Sequence, residues 1–116
     1  MEISTCIFCR IIAGQAPADV VYQDDLVTAF RDRHPQAPTH ILIVPNEHLS
    51  SVAHLRPEHA ALWGRMVAVA NDLARQEGIA ETGYRLVTNC GPQAGQSVDH
   101  LHLHLLGGRR MRWPPG

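Results

Sequence analysis

One stretch constrains this chain more than any other: His100-Leu101-His102-Leu103-His104-Leu105-Leu106. Alternating histidine and leucine predicts a strand over His100–Leu106, because successive strand side chains point to opposite faces. The three imidazoles then share one face, about 6–7 Å apart along it, and the leucines pack inward. An amphipathic strand needs only a polar outer face, which Thr or Arg would supply more simply. Three aligned imidazoles instead suit metal binding, phosphate binding or a divided catalytic task.

The remaining pattern predicts a mainly antiparallel α+β domain. Ile7, Phe8, Ile11 and Ile12 have the spacing of a short helix within Cys6–Ala13, ended by Gly14. Val20–Gln23 and Leu26–Arg31 read as strands joined by a hairpin at Asp24-Asp25. Residues 33–39, with two prolines, read as loop, and Ile41–Val44 as a strand buried on both faces and stopped by Pro45. A long helix begins near Pro57; Leu62, Met66, Val69 and Leu73 form its apolar stripe, and Gly78 ends it. Tyr84–Asn89 reads as a fourth strand, Gly91–Gln96 as loop, and the tail after Gly108 as irregular. At 116 residues, 45% of them hydrophobic, residues 1–116 make one domain with enough apolar surface for a core.

Charge removes several function classes. The net charge is -1, which argues against a general nucleic-acid or anionic-membrane surface but leaves room for a small anionic ligand. All 10 basic residues are arginine, so a lysine Schiff base, a phosphate loop ending in Gly-Lys and a kinase-type lysine are excluded. No apolar run is long enough to span a bilayer, and the N-terminus lacks a signal pattern, which predicts a cytoplasmic protein.

Other residues add chemistry. Asn89 to Ser97 places glycines and small polar groups beside the histidines, where main-chain N–H groups can approach an anion. Asp32 ends the second strand, and its carboxylate can accept two hydroxyls of a ribose diol. Cys6 and Cys9 form C-x-x-C, and Cys90 stands alone. The pair suits zinc if two further ligands exist, with His48 and His100 as candidates; two thiols without metal is the other reading. A thioredoxin-like role is disfavoured because no strand precedes the motif. His34, His54 and His59 receive no role.

The pattern His-φ-His-φ-His-φ-φ, with φ apolar, resembles the histidine triad (HIT) superfamily. Cys6-Ile-Phe-Cys9, Phe30-Arg-Asp32, Pro35-Gln-Ala-Pro-Thr-His40, Gly95-Gln-Ser97 and the terminal Trp113-Pro-Pro-Gly116 are similar to its nucleotide-binding (HINT) branch, over nearly the whole chain. The resemblance implies a HIT-like fold: a five-stranded antiparallel sheet with one long helix and a short N-terminal helix, in a homodimer. It implies a purine nucleoside phosphoramidase, which cleaves the P–N bond of purine nucleoside 5′-phosphoramidates and releases AMP, with no metal in the chemistry. Carried over, His102 is the nucleophile that forms a nucleotidyl-histidine intermediate. His104 and His40 contact the phosphate, and Ser97 donates to the leaving amine. Asp32 binds the ribose, with Arg33 beside it, and Asn89, Gly95 and Gln96 surround phosphate and ribose. Ile12, Phe8 and Leu42 are candidates to hold the base. In zinc-bearing relatives the first triad histidine joins a C-x-x-C and an upstream histidine, which maps a structural zinc onto Cys6, Cys9, His48 and His100.

The chain departs from the family in places. Arg33 replaces an apolar residue, Asn46-Glu47 a basic pair, and Cys90 an acid. Asp99 stands where animal members carry an aromatic and is expected to face away from the histidines. The alternatives are a dinucleoside polyphosphate hydrolase or nucleotidyl transferase, a nucleotide-binding interaction module with weak catalysis, and a metal-binding regulator. The C-terminal tail disfavours the first pair, and intact His102 and Ser97 disfavour the module.

Overall fold

The computed structural model describes residues 4–116. In chain order the elements are α1 (Ile7–Ile12), β1 (Val20–Gln23), β2 (Val27–Arg31), β3 (Thr39–Pro45), α2 (Ala60–Gln76), β4 (Tyr84–Val87) and β5 (Leu103–Gly107). Short 3-10 turns cover Val52–His54, Pro57–His59 and Pro92–Ala94. The strands form one sheet in the order β1-β2-β3-β5-β4, with every neighbouring pair antiparallel. This is the α+β arrangement expected from the sequence. Among the described residues, no helix is long and apolar enough to cross a membrane.

β3 is the central strand, and all seven of its residues are buried. Its alternation separates two apolar layers. Ile41 and Ile43 join Val27, Ala29, Leu103 and Leu105 beneath Leu62, Met66, Val69 and Leu73 of α2. Leu42 and Val44 face the other way, with Phe30 and with Phe8 of α1. Burying each large side chain contributes about 1.5–3 kcal/mol, so the α2 layer carries most of the packing. Among the described residues, the opposite face has the short α1 as its one helical cover, and it is the face toward which the histidines project.

The element ends differ from the sequence reading for local reasons. β2 begins at Val27 rather than Leu26, because Asp24 Oδ1 accepts from the main-chain N–H of both Leu26 and Val27 at 2.8 Å. Pro57–His59 forms a tighter turn before α2, and His59 Nδ1 accepts from the Arg56 N–H at 3.0 Å. β4 stops at Val87, beyond which the Thr88 hydroxyl donates to the His102 carbonyl at 3.0 Å.

The largest difference lies at β5. It runs Leu103–Gly107, so of the three triad histidines only His104 lies in a strand. The register pairs Leu103 with Ile43, which would set Leu101 opposite Pro45. Proline has no N–H to extend the ladder. The Leu101 N–H donates instead to the Leu49 carbonyl at 2.6 Å, and His100 sits in a bend. Leu101 stays in the α2 layer, so the alternation of side chains outlasts the hydrogen-bond ladder.

Candidate active site and metal cluster

A cleft of about 830 Å³ opens on the α1 side of the sheet. Phe8, Phe30 and Leu42 supply apolar wall, Asp32 and Arg33 stand in its polar part, and Ser97, His102 and His104 complete the lining. The Phe8 ring packs edge-on against Phe30 at 5.3 Å, against His102 at 5.2 Å and against His100 at 5.8 Å. One aromatic side chain of α1 thus braces the triad.

His102 is buried, at 5% relative exposure. Its Nδ1 lies 2.7 Å from the His100 carbonyl oxygen. A carbonyl only accepts, so Nδ1 holds a proton, and in the neutral ring the free lone pair is then on Nε2. His104 is set by a longer chain of contacts. The Gln36 main-chain N–H donates to His40 Nδ1 at 3.0 Å, which puts the His40 proton on Nε2. That proton is donated to His104 Nδ1 at 2.9 Å. The His104 proton therefore sits on Nε2, a buried atom with no partner among the described residues.

The electrostatics agree with neutral His104 and His40 rings. Burial pushes the His104 pKa down to about 4, the neighbouring His102 and His40 rings adding to the fall and the Asp32 carboxylate opposing it. Burial also lowers that of His40, opposed by the Asp32 carboxylate, whose Oδ2 lies 3.5 Å from His40 Nε2. An unpaired buried donor costs about 1–3 kcal/mol. His104 itself lines the cleft, so an acceptor bound there is a candidate partner for this donor.

Asp32 Oδ1 accepts from the His34 N–H at 2.8 Å, holding the loop after β2. Asn89, Gly95 and Gln96 do not line the cleft. Gln96 ties its loop together: Oε1 accepts from the Gly91 N–H at 3.0 Å, while Nε2 donates to the Ser50 and Val98 carbonyls at 2.7 and 3.0 Å. Gly95 closes the 3-10 turn at φ +84°, a conformation that favours glycine. The apolar wall uses Ile7 and Ile11 of α1 rather than Ile12. Helical spacing from Phe8 leads to Ile11 as readily as to Ile12, so that signal was present. His34 also lines the cleft, and nothing periodic in a loop announces it.

His100 faces a different group. Cys6, Cys9, His48 and His100 bring their four donor atoms within 4.8 Å of one another. Cys6 Sγ and Cys9 Sγ lie 3.4 and 3.6 Å from His100 Nδ1, Cys9 Sγ lies 3.3 Å from His48 Nδ1, and the two Nδ1 atoms are 3.1 Å apart. A tetrahedral zinc at ordinary bond lengths sets S–N edges of about 3.6 Å and an N–N edge of about 3.4 Å. The donor set fits such an ion. His100 Nε2 donates to the Pro45 carbonyl at 2.9 Å, which leaves Nδ1 free to ligate. The proline that ends the β3–β5 ladder thus also orients a candidate metal ligand.

The departures take clear places. Asn46 is structural, accepting from the Thr28 hydroxyl at 2.7 Å and donating to the Asp24 carbonyl at 2.9 Å. Glu47 lies 3.9 Å from His59. The Cys90 thiol donates to the Ser51 hydroxyl at 3.5 Å. Asp99 does not turn away from the site as strand alternation implied. With His100 in a bend, it lines a second depression together with His48 and Ser97.

The chain is similar to known proteins in sequence and in fold. The HIT domain model covers residues 13–111. The purine nucleoside phosphoramidase of Escherichia coli (strain K12) is 58% identical over 103 residues, which is 89% of this chain and 87% of that protein. The 14 kDa zinc-binding protein of Zea mays is 50% identical over 118 residues, spanning 100% of this chain and 91% of that protein. The crystal structure of a HIT family hydrolase from Legionella pneumophila Philadelphia 1 superposes with a TM-score of 0.95 at 48% identity, covering 97% of this chain and 100% of that one.

Proposed function

This chain belongs to the HIT domain family, and from that premise we propose that it is a purine nucleoside phosphoramidase. It hydrolyses the P–N bond of purine nucleoside 5′-phosphoramidates and releases AMP. The observation that carries this reading is the 2.7 Å contact from His102 Nδ1 to the His100 carbonyl. It fixes the tautomer, so that the neutral imidazole carries its free lone pair on Nε2, in a side chain that lines the cleft. Such a ring is a competent nucleophile near neutral pH.

The apolar wall of Phe8, Phe30 and Leu42 takes the base, and Asp32 accepts from the ribose hydroxyls. Arg33 stands beside Asp32 and supplies positive charge at the nucleotide. His102 Nε2 attacks the α-phosphorus as the P–N bond breaks. The amine departs with the bonding electrons and takes a proton relayed from water through the Ser97 hydroxyl. Water then cleaves the nucleotidyl-histidine. His104 Nε2–H donates to a phosphate oxygen in both steps, and His40 positions His104. Asn89, Gly95 and Gln96 act on the nucleotide through the shape of their loop.

Cys6, Cys9, His48 and His100 would hold a structural zinc. Bound there, zinc supplies a crosslink between α1, the segment after β3 and the segment before β5. Four protein donors close a tetrahedral site and leave no position for substrate. Turnover of adenosine 5′-phosphoramidate by the wild type and by His102→Ala, with AMP binding measured in both, tests the reading. Turnover that vanishes in the variant while AMP still binds supports it. Undiminished turnover in the variant overturns the nucleophile assignment.

A further inference from the structure

Ser97 belongs to two hollows. It lines the large cleft with His102, and it lines a second depression of about 450 Å³ with Thr5, Ser50 and Asp99, which Cys6 and His48 of the metal cluster also line. Ile7 and Val98 are common to both, so the hollows meet along a ridge that carries the Ser97 side chain. A phosphoramidate joins its nucleoside to its amine through one phosphorus. With the base on the apolar wall and phosphorus at His102, the nitrogen lies by Ser97. Whatever the amine carries extends across the ridge.

The far side of the ridge has a distinct chemistry. Thr5 and Ser50 offer hydroxyls and Asp99 a carboxylate, while Cys6 and His48 have their donor atoms in the metal cluster. Among the described residues no arginine lines the depression, whereas Arg31 and Arg33 line the large cleft. Asp99 is exposed and makes no ion pair among the described residues. Its charge is free to act on a ligand.

We propose that this depression is the subsite for the substituent on the leaving amine, and that Asp99 selects substituents ending in an ammonium over those ending in a carboxylate. The proposal rests on the phosphoramidase reading and specifies its substrate class: adenosine phosphoramidates of cationic, diamine-like amines. The distal ammonium keeps its protons throughout. Only the nitrogen bonded to phosphorus gains one, as its P–N bond breaks and the bond from phosphorus to His102 Nε2 forms.

Three adenosine 5′-phosphoramidates test it, differing only at the end of the amine: 3-aminopropyl, propyl and 2-carboxyethyl. The readout is the ratio of kcat/KM for the ammonium and carboxylate compounds within one protein, so a general change in activity cancels. The wild type favours the ammonium compound by about tenfold at low salt, and the preference shrinks as salt screens it. In Asp99→Asn the ratio falls to within about twofold of unity, and Asp99→Glu restores most of it. An unselective wild type, or an Asp99→Asn protein with the same ratio, overturns the proposal. If the wild type turns over none of the three, the phosphoramidase reading fails instead. The ratio of their affinities, measured by displacement of bound AMP, then decides the subsite by the same criterion.

Discussion

His40 Nε2 lies 2.9 Å from His104 Nδ1, and the Gln36 main-chain N–H decides which of the two rings holds the shared proton. A main-chain amide in a loop therefore dictates the donor that His104 presents to the cleft. On the proposed mechanism His40 is a positioning residue, whose worth lies in orientation rather than charge.

Replacing His104 by Ala removes a donor to the reacting phosphate and should lower kcat by about a hundredfold, as losing one oxyanion donor commonly does. His40→Ala should lower kcat by a smaller factor, about tenfold, with KM nearly unchanged. His40→Gln, whose amide can donate where Nε2 did, should recover part of the loss. Steady-state kinetics on the three variants checks the order. Equal activity in His40→Ala and the wild type contradicts the positioning role.

The pH dependence of stability follows from the same pair. His104 is held near pKa 4 when folded, whereas an unfolded histidine titrates near 6.5. Between those values the unfolded chain binds the proton and the native ring does not, so stability rises with pH. The contribution is complete above about pH 6.5 and is lost as pH falls toward about 4. Denaturant unfolding across that range should show the slope in the wild type and a shallower one in His104→Asn. An unchanged slope in the variant assigns the effect to other groups.

His48→Ala should lower bound zinc and destabilise the fold by roughly 2 kcal/mol, a fall of about 5–10 °C in Tm for a chain of this size. Chelation of the wild type should produce the same shift, and adding metal should not stimulate turnover of protein already loaded. Metal analysis with thermal unfolding checks this. A fully loaded, equally stable variant rules out His48 as a ligand.

Met66 is fully buried in the layer between α2 and the sheet. Met66→Ala should cost about 2–5 kcal/mol through lost contact and an unfilled cavity. Equilibrium unfolding in urea measures it. A loss below about 1 kcal/mol shows that α2 closes onto the sheet and fills the space.

Legibility in the sequence followed the range of the determining contact. The apolar run of β3, the α2 stripe and the hairpin at Asp24 depend on local periodicity or turn chemistry, and each was readable. The four metal-cluster residues were readable because C-x-x-C and the triad are compact motifs that point to the same family. The early end of β5 was not, since it depends on Pro45, which lies across the sheet and has no N–H to offer. The placement of Asp99 failed for the same reason: alternation was assumed through a bend. The engagement of Gln96 with Ser50 and Val98 is likewise a tertiary matter that no spacing encodes.

His100 performs two tasks with different atoms. Its ring joins the cysteines and His48, and its carbonyl grips His102. Every amino acid has that carbonyl, but only a few have a ring that ligates. The two tasks are therefore heritable apart. A descendant could discard both cysteines, accept another side chain at position 100 and forgo the crosslink, and its nucleophile would still point the same way. Loss of the metal cluster would thus leave in place the carbonyl that orients the His102 ring.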